Sequence, residues 1–327
     1  MNDASKALHR RTGSDGPLMH GCAAVTARVA RESHVAARIE AALAAALGRA
    51  RTGNGPRQLA AALDYAVMPG GARIRPRLCL AVAQACGDAR PGLADAAAAA
   101  IELIHCASLV HDDLPCFDDA DQRRGKAALH RVYGQAIAVL AGDALIAMAF
   151  DVLGRSASED PVIAGGMTVN LAWATGMPAG LCAGQGWESE SVIDLDAYHR
   201  AKTASLFSAA TRMGALAAGA DPDPWDMVGA EIGAAFQIAD DLRDHFCDPA
   251  EMGKPAGQDK LRGRPNVVAR EGAAGAIRCF SALIEAAIAA IPPCPGKDQL
   301  SALVREQASL LTPFSKGGRT SHATGEM

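Results

Sequence analysis

Two aspartate clusters lie about 130 residues apart in this chain, each embedded in an apolar, alanine-rich stretch with helical periodicity. The first reads His111-Asp112-Asp113-Leu114-Pro115-Cys116-Phe117-Asp118-Asp119, the second Gln237-Ile238-Ala239-Asp240-Asp241-Leu242-Arg243-Asp244. Carboxylates packed this densely repel one another and resist burial unless cations stand between them. Whatever fold buries the apolar flanks must therefore bring these acids to a place where cations can sit. That condition leaves few architectures open.

Hydrophobic residues make up 50% of the 327 residues and aromatics only 4%. Such a chain can bury a large core of aliphatic and alanine side chains, which favour helix over sheet. Strand signals are nearly absent, and no Asn-Gly turn joins alternating β-branched runs. The formal net charge of -4 argues against a nucleic-acid partner, whose binders carry a basic face. Nine cysteines, odd in number and without a C-x-x-C pair, suit reduced thiols in a cytoplasmic protein.

Helical periodicity recurs over residues 34–50, ended by Thr52-Gly53-Asn54-Gly55-Pro56, and again from Arg57 to Pro69-Gly70-Gly71. Pro76 suits the first turn of a third helix closing at Gly87-Asp88. A fourth, over about 92–113, carries the first aspartates at its C-terminal end. Further helices are expected over 135–155, 161–176, 196–218 and 224–246, with a last pair between 270 and 312. The uncharged stretch from Pro161 to Trp187 is long enough to span a bilayer. Its Thr168, Asn170, Thr175, Pro178 and glycines favour instead a buried central helix broken near Gly176-Met177-Pro178, so no membrane span is expected. Residues 1–33 are expected to be a flexible leader and helix approach, with no signal-peptide run and with Met19 as an alternative start. Residues 34–314 form one all-α domain, and 315–327 a polar tail. The Gly-, Pro- and charge-rich segment 247–267 follows the second cluster directly, where a long loop has the natural role of a lid.

Asp240 and Asp244 are four apart and share a helix face. Mg²⁺ (or Mn²⁺) is commonly bridged from one or two carboxylates to substrate phosphates. Asp112 and Asp118 are six apart, so they converge only if the helix ends or deforms between them, as Pro115 permits. Basic residues surround both clusters: Arg123-Arg124, Lys202-Thr203, and Lys254, Lys260, Arg262 and Arg264 in the lid. Gly70-Gly71-Ala72-Arg73-Ile74-Arg75-Pro76-Arg77 delivers arginines to a helix start, an arrangement suited to phosphate. Together these features describe a Mg²⁺–diphosphate site. Glu102-x-x-His105 has the spacing of a di-iron ligand pair, but no second copy exists, and His105 lies two turns above Asp112 on nearly the same face.

With these residues in view, the chain resembles the trans-isoprenyl diphosphate synthases over roughly 40–310. IELIHCASLVHDDLPCFDDADQRRGK (101–126) is similar to their first aspartate-rich region and FQIADDLRD (236–244) to their second. GGARIRP, the KT of AKTASLF, and GKPAGQD match further blocks in order. The resemblance implies an isoprenoid-synthase-type helical bundle around a central cavity, a homodimer, and Mg²⁺. It implies Asp112, Asp118, Asp240 and Asp244 as metal ligands, with Asp113 and Asp241 in support. Arg123, Lys202, Thr203, Gln237 and Lys254 would hold an allylic diphosphate; Arg75, His105 and Arg124 would hold isopentenyl diphosphate. Arg264 stands where the family usually has a lid lysine. Ala72 departs from the pattern at a usual lysine, and Arg73 or Arg77 are the side chains expected to compensate.

The implied reaction is head-to-tail prenyl transfer, with Thr203 and Gln237 dipoles facing the cation. Ala107 and Ser108, five and four residues before Asp112, are small, which resembles the bacterial geranylgeranyl (C20) diphosphate synthases of carotenoid pathways. The alternatives are a farnesyl (C15) synthase and a regulatory subunit. A class I terpene cyclase is disfavoured because both metal motifs here are aspartate-rich.

Overall fold

The computed structural model describes residues 17–68, 70–246 and 267–311, with side chains from residue 32 onward. The lid positions Lys254 and Arg264 and the polar tail lie outside them.

Helix α1 (Pro17–Ala50) begins well before the expected residue 34, because the alanines, Arg28 and Arg31 ahead of that point are themselves helix formers. The turn at 51–56 separates it from α2 (Arg57–Val67). Then come α3 (Ile74–Ala85), with Pro76 in its first turn, and α4 (Pro91–Asp112), with proline at its start. Ala96–Ala100 of α4 are all buried, so this helix is apolar around its whole circumference and occupies the centre of the bundle. α3, α6 (Gln135–Ser156) and α10 (Ser205–Ala217) pack around it. α10 in turn contacts α7 (Pro161–Thr175) and α11 (Trp225–Phe246), and α11 packs on α12 (Val267–Ala290), which precedes α13 (Lys297–Leu311). Short helices α5 (Leu129–Tyr133), α8 (Leu181–Trp187) and α9 (Leu195–His199) complete the described bundle.

The chain is therefore an all-α bundle, as expected, with one hydrophobic core running from Ile39 to Ala308. α7 corrects one expectation. It ends at Thr175 beside Gly176, but it is not buried through its width: Val162, Val169 and Trp173, on one face, are 82%, 70% and 61% exposed. Three other helices, α4, α6 and α12, are long and apolar enough to cross a membrane by length and composition; the apolar window of α4 is 78% buried inside the bundle.

Two features escaped the pattern reading. A two-residue β1 (Gln122–Arg123) pairs antiparallel with β2 (Lys126–Ala127), leaving Arg124-Gly125 as the turn. Both turn residues have positive φ (54° and 73°), the signature of a type I′ hairpin. The expected helix over 196–218 is interrupted by a π-helical turn, Arg200–Ala204, ahead of α10. Single π turns inside helices cluster at functional sites.

Candidate active site

α4 ends at Asp112, and the loop after it turns back on the helix end. The Asp118 N–H donates to the Asp112 carbonyl at 2.8 Å, and Ala120 N–H to the Asp113 carbonyl at 3.2 Å. With Pro115 in the loop, the His111 carbonyl accepts from Leu114 instead, at 3.1 Å. This fold-back is how two acids six apart reach one surface. Across from them, α11 presents Asp240, Asp241 and Asp244. Asp112, Asp118, Asp240, Asp241 and Asp244 line a single cavity of about 600 Å³, together with Arg75, His105, Ala107, Ser108, Arg123, Lys202, Thr203 and Gln237. Its apolar wall includes Ile104, Ile146, Leu181 and Leu206. That volume falls in the range of small-molecule sites.

Asp113 does not line the cavity. It is 2% exposed and paired to Arg123, aiming the guanidinium at the site from behind. Asp241 is likewise held, accepting from Gln237 Nε2 at 3.2 Å and from the Val267 N–H at 3.0 Å. Asp240 is paired with Arg243. Thr203 Oγ1 donates to Gln237 Oε1 at 2.9 Å, so these two dipoles are tied to each other as well as facing the cavity.

Burial pushes the Asp112 carboxyl up to about 6; Lys202 and Arg123 oppose the shift, Asp118 and Glu188 add to it. A carboxylate so disfavoured gains from a cation. The donor set, hard carboxylate oxygens from two helices beside basic side chains, fits Mg²⁺ bridged to phosphate. Among the described residues no three acidic, histidine or cysteine side chains form a ready cage. Mg²⁺ ordinarily takes several ligands from water and phosphate rather than from such a cage.

Arg75 and His105 form a second corner of the cavity, and Arg124, which does not itself line it, reaches His105 from behind. Arg75 lies over the Phe207 ring at 4.5 Å, and its buried Nε has no hydrogen-bond partner among the described residues. Arg124, in the hairpin turn, donates to His105 Nε2 at 3.3 Å. Burial, then Arg75 and Arg124, drives the His105 imidazole well below its ordinary value, so it is neutral at pH 7.

The structure overturns one expectation here. Arg73 does not replace the lysine missing at exposed Ala72. Its guanidinium is buried, bonded to Glu102 at 2.8 Å, Glu40 at 2.9 Å and the Val67 carbonyl at 2.8 Å. Arg77 lines a separate apolar cavity of about 130 Å³ instead. The same contacts give Glu102 a role as an internal counter-ion, not a metal ligand.

Sequence reasoning also missed Glu188. Its carboxylate pairs with Lys202 and accepts the Tyr198 hydroxyl at 2.7 Å. Lys202 sits on the π turn, and α8 packs so closely there that a Cβ at Gly184 would come within 2.5 Å of the Lys202 backbone. The pair spans 14 residues, a separation at which no periodicity argument links them.

A family model for polyprenyl synthetases matches residues 56–279. The geranylgeranyl diphosphate synthase of Cereibacter sphaeroides is 58% identical over 86% of this chain and 98% of its own. That of Rhodobacter capsulatus is 53% identical over 82% of this chain and 93% of its own. A crystal structure of geranyltransferase from Helicobacter pylori, complexed with magnesium and isoprenyl diphosphate, superposes with a TM-score of 0.71 at 28% identity, covering 84% of this chain and 96% of that one.

Proposed function

Because the chain belongs to the polyprenyl synthetase family, we propose that it condenses isopentenyl diphosphate with allylic diphosphates to geranylgeranyl diphosphate. The observation that carries this reading is the meeting of both aspartate clusters on one cavity whose wall turns apolar away from them. The two relatives described above, both geranylgeranyl diphosphate synthases, support the C20 product.

Asp112, Asp118, Asp240 and Asp244 would hold Mg²⁺. When bound, Mg²⁺ supplies charge neutralisation of the diphosphate leaving group. Arg123 and Lys202 bind the allylic diphosphate oxygens, and Lys254 is assigned to the same group. Arg75, His105 and Arg124 hold the second diphosphate, with the Arg75 Nε, which has no partner among the described residues, and one neutral-imidazole N–H as donors. The apolar wall keeps water from the allylic carbon once its C–O bond ionises. Thr203 and Gln237 present oxygen lone pairs to the developing positive charge. The alkene of isopentenyl diphosphate then attacks that carbon, and the departing diphosphate accepts the proton lost. Losing one charge-assisted contact at Ala72 costs about 1.5–3 kcal/mol of isopentenyl diphosphate binding, with neither Arg73 nor Arg77 making it good.

The protein acts as a cytoplasmic homodimer without a membrane span, in carotenoid or related isoprenoid synthesis. The exposed α7 face of Val162, Val169 and Trp173, with Val139 and Leu140 of α6, supports self-association.

Incubation with labelled isopentenyl diphosphate, allylic primers and Mg²⁺, followed by product sizing, tests the reading. The expected product is C20, shortened in Ala107→Phe, since Ala107 is 2% exposed on the cavity wall. A C15 product from wild type, or an unchanged length in Ala107→Phe, contradicts it.

A further inference from the structure

The C-terminal end of α8 lies against α9 and the π turn, and Glu188 caps it there. Its carboxylate gathers three side chains that line the catalytic cavity, Gln185, Tyr198 and Lys202. Oε1 pairs with Lys202 and accepts the Tyr198 hydroxyl at 2.7 Å, while Oε2 accepts from Gln185 Nε2 at 3.4 Å. The Lys202 ammonium also stands 5.7 Å from the centre of the Tyr198 ring, within cation–π reach. The Glu188 and Lys202 side chains are only 16% and 21% exposed, so bulk water screens the pair weakly. Glu188 itself stands behind the wall that its three partners form.

We infer that Glu188 is a positioning residue for the allylic diphosphate: braced by Tyr198 and Gln185, it fixes the Lys202 ammonium at the cavity wall before the anion arrives. This deepens the reading proposed above, because it rests on Lys202 binding that diphosphate. Lysine carries its charge on a flexible four-carbon stem, and an unheld ammonium has to be immobilised as the anion binds. The ammonium has three donors. One engaged by Glu188 leaves two for phosphate oxygens, so the ion pair and the phosphate contact coexist. What Glu188 supplies is an acceptor at a fixed place. A glutamine oxygen there accepts the same two donors, whereas alanine accepts none.

Binding of inorganic pyrophosphate with Mg²⁺ to the full-length protein, measured by calorimetry, tests this without turnover, so the product formed decides the proposed reaction separately. The Kd is expected to rise about tenfold in Glu188→Ala and less than about threefold in Glu188→Gln. On a Lys202→Met background, Glu188→Ala is expected to add no further loss, because the carboxylate acts through the ammonium. In turnover, KM for the allylic diphosphate rises in Glu188→Ala while KM for isopentenyl diphosphate holds at the wild-type value. Tyr198→Phe removes only the hydroxyl that braces the carboxylate; its Kd is expected to rise about threefold, and it decides the matter if Glu188→Ala does not fold. A wild type that binds no pyrophosphate, or an unchanged Kd in Glu188→Ala or Tyr198→Phe, overturns the inference. Equal losses in the alanine and glutamine variants, losses that multiply with Lys202→Met, or both KM values rising together overturn it as well.

Discussion

At the residue scale, Asp112 shows how the site sets function against stability. Its carboxyl is displaced from an ordinary value of 3.8 to about 6, with burial as the leading cause. The folded state therefore holds this proton more tightly than the unfolded chain does. Below both values the group is neutral in both states and leaves stability unchanged. As pH rises past them, the metal-free fold carries a buried charge at a cost on the order of 1–3 kcal/mol. Asp112→Asn is predicted to raise the metal-free Tm at pH 7, with the gain disappearing near pH 4, while sharply lowering turnover. Thermal unfolding at both pH values checks this, and a Tm unchanged or lowered at pH 7 contradicts it. Arg75 reads in the same way, its buried Nε without a partner among the described residues at the wall of the cavity.

At the element scale, α3 is placed by an ion cluster that the sequence pattern had assigned to substrate. Arg73 has left-handed backbone (φ 53°) at the head of α3 and drives its guanidinium into the core between Glu40 and Glu102. Glu102 is 2% exposed, so removing its partner strands a buried charge. Arg73→Met is predicted to destabilise the fold by about 3–5 kcal/mol, read as a lowered midpoint in urea; a loss under 1 kcal/mol, with isopentenyl diphosphate affinity falling instead, would restore Arg73 to the site. The turns that end α1 and α2 and the start of α3 were legible because periodicity, Pro76 and the Gly-Pro turns act locally, whereas the start of α1 and the π turn ahead of α10 were not. The aspartate fold-back was legible because Pro115 and the six-residue spacing demanded it. What stayed hidden depends on packing between distant elements. Arg73 and Arg75 are two apart on a run of basic residues, and only the tertiary contacts send one into the core and the other to the cavity. The Glu188–Lys202 pair and the Arg124-Gly125 hairpin were hidden for related reasons: the first needs α8 docked on the π turn, the second is a turn whose Gly125 was the single local clue.

At the scale of the whole molecule, the bundle buries its alanine-rich centre yet leaves a row of large apolar side chains on α7 uncovered. A two-fold pairing would present this face to its own copy. If the proposed homodimer pairs through this face, Trp173→Glu is predicted to sediment as a monomer where wild type sediments as a dimer, with the helical content intact. A wild-type monomer, or a Trp173→Glu dimer of undiminished affinity, rejects this face as the contact.

In the proposed reaction, acids from α4 and α11 act as one diphosphate-ionising unit. Turnover of labelled isopentenyl diphosphate in Asp112→Asn, Asp240→Asn and the double variant tests it most directly. Groups acting together lose their function together. Each single substitution is predicted to cut turnover by roughly a thousandfold, and the double to cost little more than either. Near-wild-type rates in either single variant, or losses that multiply in the double, would contradict the account.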